Sequence, residues 1–273
     1  MIKKIFSSLL ASALLVTAAA SCDRSHAAEN EPASTVSEAV NESPSVSNTE
    51  QSTAEESSAE TSEPPVKVDV DYKDRFHSFF QVNYATMDID CIMQREIGLI
   101  NGCEVVSLSM ALDYFGFEID PRILFHGFMP YGKYGEANPY EKYVGDPRDG
   151  SGFGCYAPCV VEAANKFLSH NKSKRRARDV SGSSAFELLS YVWNGVPVIL
   201  WGTLDMGPSH VYDRWSFDGE YINWYEYSHC VLITGIRNDS FIVCDPLKGE
   251  TTYPIEDVMR ANELIYSQAV VIY

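Results

Sequence analysis

Between residues 23 and 66 the chain has no Phe, Tyr or Trp and almost no large aliphatic side chain. A stretch of Ser, Glu, Thr, Ala, Pro and Asn cannot bury enough apolar surface to offset the entropy of ordering, which excludes it from a folded core and leaves it as a tether. Positive charge is scarce too: 21 Lys and Arg stand against 38 Asp and Glu, a formal net charge of −17. The tether carries −9 of this and the chain beyond it −10, offset by +2 at the amino end. Repulsion therefore argues against nucleic acid or an anionic lipid surface as a partner of the folded part. No apolar run reaches the roughly 20 residues that a membrane helix needs. No internal repeat is visible.

What the amino end does contain is an export signal over residues 1–21. Lys3 and Lys4 form a basic start, residues 5–16 are mostly apolar, and Thr17-Ala18-Ala19-Ala20-Ser21 is a run of small residues. Ala19-Ala20-Ser21-Cys22 resembles the lipobox of bacterial lipoproteins, although Ala19 stands where Leu is usual. The resemblance implies cleavage before Cys22, a diacylglycerol on its thiol, and a place on the outer face of a bacterial membrane. The tether at 22–66 would then space the folded domain at 67–273 from that surface, with the lipid as the sole membrane contact. Plain secretion, with Cys22 a bystander, is the alternative.

Residues 67–273 hold nearly all the aromatics and all four Trp, and about 200 residues suit one domain with a sizeable core. Asn101-Gly102-Cys103 opens an amphipathic run in which Val105, Leu108, Leu112 and Phe115 recur at spacings of three and four, the pattern of a central helix ending at Gly116. Asn101 can cap it, and Glu104 lies three residues on as in a capping box. Cys103 then sits in the first turn, where unpaired N–H groups and the helix dipole favour thiolate. Residues 157–168 and 185–193 read as further helices, the basic cluster 172–178 as an exposed turn, and 254–261 as a short helix. Residues 197–203, 229–236, 240–245 and 268–273 read as strands, the middle pair joined by Asn238-Asp239. Helices first and strands later argue α+β with an antiparallel sheet. A long loop at 128–156, rich in Gly, Pro, Tyr and Asp, is expected to be ordered and functional. Gly154, Phe153 and Tyr156 are its candidate substrate contacts.

A thiol hydrolase needs a thiolate, an imidazole, a group that holds the imidazole's tautomer, and donors for an oxyanion. Among six His, only His229 opens a strand and is followed by an acid, Asp245, on the next one. Ladder counting about Asn238-Asp239 leaves the two out of register, so a bulge or strong twist is required. Gln94 is the favoured oxyanion donor, with Asn101 closer along the chain. Apart from Cys22 and Cys103, five Cys remain, so at least one stays free; Cys230 and Cys244 read as small buried hydrophobes. A zinc site from Cys155, Cys159, His229 and Cys230 fits by ligand type, but neighbours on a strand face opposite ways, and no metal or cofactor is assigned.

Asn101-Gly102-Cys103-Glu104-Val105-Val106-Ser107, Val144-Gly145-Asp146-Pro147 with Gly152-Phe153-Gly154-Cys155-Tyr156, Ser228-His229-Cys230-Val231 and Asp245-Pro246-Leu247-Lys248-Gly249 together resemble the C39-like family of stand-alone bacterial cysteine peptidases. The resemblance spans residues 84–273. It implies a papain-like fold with Cys103, His229 and Asp245 as the triad and Gln94 at the oxyanion hole. The implied activity is that of a monomer cleaving peptide or protein substrates, or transferring an acyl group, through a Cys103 thioester. Leader trimming, which family relatives perform when fused to an exporter, is not implied. A binding module with an inert triad, gripping a peptide or cell-wall fragment, is the competing expectation. A purely structural surface protein is disfavoured, since it needs no ordered Cys, His and Asp.

Overall fold

The computed structural model describes residues 84–217 and 219–273. The export signal, Cys22, the tether and residues 67–83 of the expected domain lie outside the described residues. Among the described residues no helix is long and apolar enough to cross a membrane.

Seven strands form one antiparallel sheet. Its path runs β10 (Gly249–Pro254), β9 (Ser240–Asp245), β8 (Ser228–Arg237), β5 (Val198–Thr203), β11 (Ala269–Ile272) and β4 (Ala177–Asp179), and β1 (Tyr84–Thr86) pairs with the far end of β8. The period of two in a strand sends neighbouring side chains to opposite faces, and here both faces are apolar. Ile199, Trp201, Cys230 and Leu232 pack into one core, Val198, Leu200, Val231 and Ile233 into the other. The first core is roofed by α1 (Cys103–Tyr114), α2 (Pro121–Phe128) and α3 (Ala157–His170), the second by α4 (Ala185–Trp193) and α5 (Ile255–Leu264).

Helix α1 is the central helix that the spacing predicts, and it is buried all round from Cys103 to Leu112. Its polar side chains are satisfied locally: the Ser107 hydroxyl donates to Cys230 O at 3.4 Å and that of Ser109 to Ile119 O at 2.6 Å. Val105, Leu108 and Leu112 are fully buried, each stabilising by about 1.5–3 kcal/mol relative to exposure. The nucleophile candidate is thus carried on a fixed element.

The capping expectation is corrected. Gly102, not Asn101, is the N-cap, and no side chain caps the helix. Asn101 instead ties the helix start to the 128–156 loop: its Nδ2 donates to Asp149 O at 2.7 Å, its N–H to Pro147 O at 2.9 Å, and its carbonyl accepts from the Tyr143 hydroxyl. That loop is ordered around a short parallel pair, β2 (Tyr131–Gly132) with β3 (Tyr143–Val144), and an antiparallel bridge from Val144 to Gly154. The basic cluster is more than an exposed turn. Its end forms edge strand β4, Arg175 lies 3.9 Å over the Phe115 ring, and Arg178 lies 4.8 Å over that of Tyr273. Sequence patterning also misses the hairpin of β6 (Val211–Phe217) and β7 (Glu220–Tyr225), whose charged outer positions break any apolar run.

Candidate active site

The β8–β9 hairpin contains the irregularity that the pairing demands. Arg237 opposes Ser240 at the turn, but the register shifts between Ile233 and Gly235, so that Leu232 opposes Cys244. One step further sets Asp245 opposite Val231, two residues from His229 and on its face; an unbroken ladder would set Asp245 opposite Leu232, facing away. His229 Nε2 accordingly lies 2.7 Å from Asp245 Oδ1, both residues being buried, at 3% and 1% exposure. A carboxylate only accepts, so Nε2 carries a proton and Nδ1 is left as the basic atom. Asp245 also accepts from Leu247 N at 2.8 Å and from the Tyr253 hydroxyl at 3.3 Å. Burial opposes its charge, yet these hydrogen bonds and His229 hold its carboxyl below the ordinary range.

Cys103, His229 and Gln94 line one cleft of about 360 Å³ with Gly152, Phe153 and Trp224. Gln94 is buried, its Nε2 donates one hydrogen to Ile100 O at 2.8 Å, and its Oε1 has no partner. The second Nε2 hydrogen and the Cys103 N–H in the first helical turn are the donors on offer to an oxyanion. Gln94 is held from two sides. Its N–H donates to Pro246 O at 2.9 Å, and a disulfide joins Cys91 to Cys244 across 153 residues. Cys244 is therefore no free hydrophobe, which corrects the expectation; it staples the Gln94 segment to the strand that carries Asp245. Cys103, Cys155, Cys159 and Cys230 are free and buried.

The state of the thiol also departs from expectation. Burial, followed by the Glu104 carboxyl, pushes the Cys103 thiol well above its usual range, whereas helix position alone favours thiolate. Glu104 is the residue whose place sequence reasoning misread. Its 3% exposed side chain closes no capping box; Oε1 accepts from Cys155 N at 3.1 Å and Oε2 lies 3.4 Å from Cys103 Sγ.

Of the three loop residues expected to touch substrate, only Phe153 lines the cleft. Tyr156 is fully buried, stacked on Trp224 at 5.3 Å between ring centres, and so supports the cleft wall from behind. Gly154 serves packing: at φ +123° a Cβ there would fall 2.2 Å from Glu104 Oε1. Trp215 and Trp224 of the unpredicted hairpin stack 6.1 Å apart and extend the wall that begins with Phe153. Tyr253 is a further residue the sequence did not flag. Among the described residues no group of three or more His, Cys, Asp or Glu could hold a metal ion.

Comparison with known proteins adds the family. A structure of a candidate C39-like peptidase from Bacillus anthracis superposes with a TM-score of 0.61 at 26% identity, covering 68% of this chain and 98% of that one. The uncharacterized protein YvpB of Bacillus subtilis (strain 168) is 26% identical over 152 residues, 54% of this chain and 59% of that protein, so the match spans little more than half of the relative's length. The family model of C39-like peptidases matches residues 86–270, a span holding the Cys103 helix, the cleft loop and the β8–β9 hairpin. The chain belongs to the Peptidase_C39-like family.

Proposed function

We propose that the protein is a cysteine peptidase that hydrolyses peptide bonds through Cys103, His229 and Asp245. The observation that carries this reading is the buried His229–Asp245 pair, brought onto one face by a bulge, with His229 opening on the same cleft as Cys103. His229 Nδ1 takes the proton from Cys103 Sγ as sulfur attacks the carbonyl carbon, and the C–O double-bond electrons move to oxygen, which faces Gln94 Nε2 and Cys103 N–H. The imidazolium returns the proton to the leaving nitrogen, the C–N bond breaks, and a thioester remains. Water, deprotonated by the same imidazole, cleaves the thioester and restores the thiol; an amine in place of water gives acyl transfer. Where the Glu104 carboxylate holds the thiol neutral at rest, the imidazole removes the proton as sulfur attacks.

The Ser21-Cys22 junction supports an N-terminal lipid and a place outside the bacterial membrane, with the tether presenting the domain to peptide or protein substrates. The test is incubation of the full chain with a peptide library. Native protein is expected to yield defined cleavage products and Cys103→Ala none, while both bind library members alike. Binding by both without cleavage by either would establish the inert binding module instead.

A further inference from the structure

Glu104 is a carboxyl that the proposed mechanism does not use, yet it touches the nucleophile. Its two oxygens are divided between Cys155 N at 3.1 Å and Cys103 Sγ at 3.4 Å, and Gly154 leaves the room it occupies. Cys103 is its neighbour on α1, and within electrostatic reach are Cys230 and His229 at the start of β8, Tyr143 on β3, and Cys155 and Tyr156 at the entry to α3. His229 alone among these can be cationic. No Lys or Arg of the described residues pairs with it. Burial dominates, and despite three stabilising hydrogen bonds it pushes the carboxyl up to about 7. A structural hydrogen-bond acceptor for Cys155 N needs no ionisable group, since an amide oxygen accepts equally well. A titratable group in such a place marks function.

We propose that Glu104 positions the Cys103 sulfur and, by holding or losing its own proton, decides whether that sulfur can carry negative charge. Protonated, Oε2–H donates to the sulfur and stabilises a thiolate whose own proton has passed to His229 Nδ1. Once the Oε2 proton leaves to solvent, the carboxylate accepts from the thiol, retains its proton, and opposes negative charge on sulfur. Glu104 acts through Cys103 and is a positioning residue. The inference rests on the peptidase reading and adds to it a limit on the alkaline side, so that the site is most nucleophilic below neutrality, where an ordinary thiol is least so.

The test is alkylation of the full chain by iodoacetamide between about pH 5 and about pH 9, with the modified residue mapped by mass. In native protein the rate at Cys103 should fall about tenfold across neutrality before rising again at higher pH. Glu104→Gln should remove the fall and react at least about tenfold faster than native at about pH 8, while Glu104→Asp should keep the fall. If the Glu104→Gln profile superposes on a native profile that is reactive at low pH and depends on His229, the role of Glu104 is overturned and the peptidase reading stands. If native Cys103 shows no low-pH reactivity and His229→Ala changes nothing, both are overturned. Should Glu104→Gln fail to fold, carbon-13 NMR of glutamate carboxyls in native protein decides: one titrating near neutrality is expected, and none above about pH 6 would overturn the proposal.

Discussion

Asp245 and Glu104 are acids of the same chemistry, both closed to solvent beside the same cleft, at 1% and 3% exposure. Asp245 meets a protonated imidazole nitrogen, a backbone N–H and a phenol, and its carboxyl is held low. Glu104 meets two backbone N–H groups, its own and that of Cys155, and a thiol, and its carboxyl is pushed up to about 7. Both carboxyls accept hydrogen bonds, but Glu104 is packed in more deeply by protein, and without an imidazole N–H of its own its desolvation prevails. Asp245 thereby stays ionised beside His229 until the pH falls below the ordinary carboxylate range, and Glu104, as proposed, changes state in the working range of a thiol.

The largest expected effect comes from unmaking the Asp245 side. Asp245→Asn keeps the shape but can offer an N–H where the imidazole needs an acceptor, and turnover on a confirmed peptide should fall by roughly 10³-fold or more with the fold retained. A fall of less than about tenfold would place the tautomer's support elsewhere.

The Cys91–Cys244 staple secures the same side. Replacing both Cys by Ser should destabilise the domain by about 3–5 kcal/mol in denaturant unfolding, because the disulfide closes a loop of 153 residues. Loss of kcat beyond that seen for an equally destabilised core variant would show that the staple also holds Gln94 in register.

Glu104 contributes with the opposite sign. Its carboxyl is raised on folding, so its contribution is fully present below the unfolded value of 4.5 and is lost as pH rises through the folded value of about 7. Native stability should decline over that window by about 3 kcal/mol, and Glu104→Gln should recover most of this at about pH 8 and little at about pH 4. Asp245, held low, contributes stability that is lost only as pH falls below the ordinary carboxylate range. Parallel pH–stability curves for native and Glu104→Gln protein would erase the contrast between the two acids.

The smallest effect is expected at Tyr253, which gives Asp245 one hydrogen bond of 3.3 Å. Tyr253→Phe should cost about 1 kcal/mol and raise the acid limb of the pH–rate profile slightly. An unchanged acid limb would confine Tyr253 to its contact with Lys248.

The legible parts of this fold are those written in local pattern. The threefold and fourfold spacing of Val105, Leu108 and Leu112 announces α1, and the unbroken apolar runs of β5 and β8 announce buried strands. Even the bulge follows from counting residues between His229 and Asp245, given that the two must meet. What eluded the sequence depends on distant partners. Cys91 and Cys244 are 153 residues apart, and nothing local distinguishes Cys244 from an apolar strand residue. Glu104 imitates a capping box by spacing, and only the approach of Cys155, 51 residues on, shows where its carboxyl goes. Tyr156 and Phe153 look alike in the loop, but the β6–β7 hairpin buries the first and leaves the second on the cleft.

The central claim, that Cys103 is a nucleophile served by His229, is tested most directly by labelling the full chain with a peptide-like thiol-reactive probe and locating the adduct by mass. Cys103 is predicted to be labelled far ahead of Cys155, Cys159 and Cys230, and the labelling is predicted to be lost in His229→Ala. Labelling of Cys103 at the pace of the other buried thiols, unchanged in His229→Ala, would contradict the account.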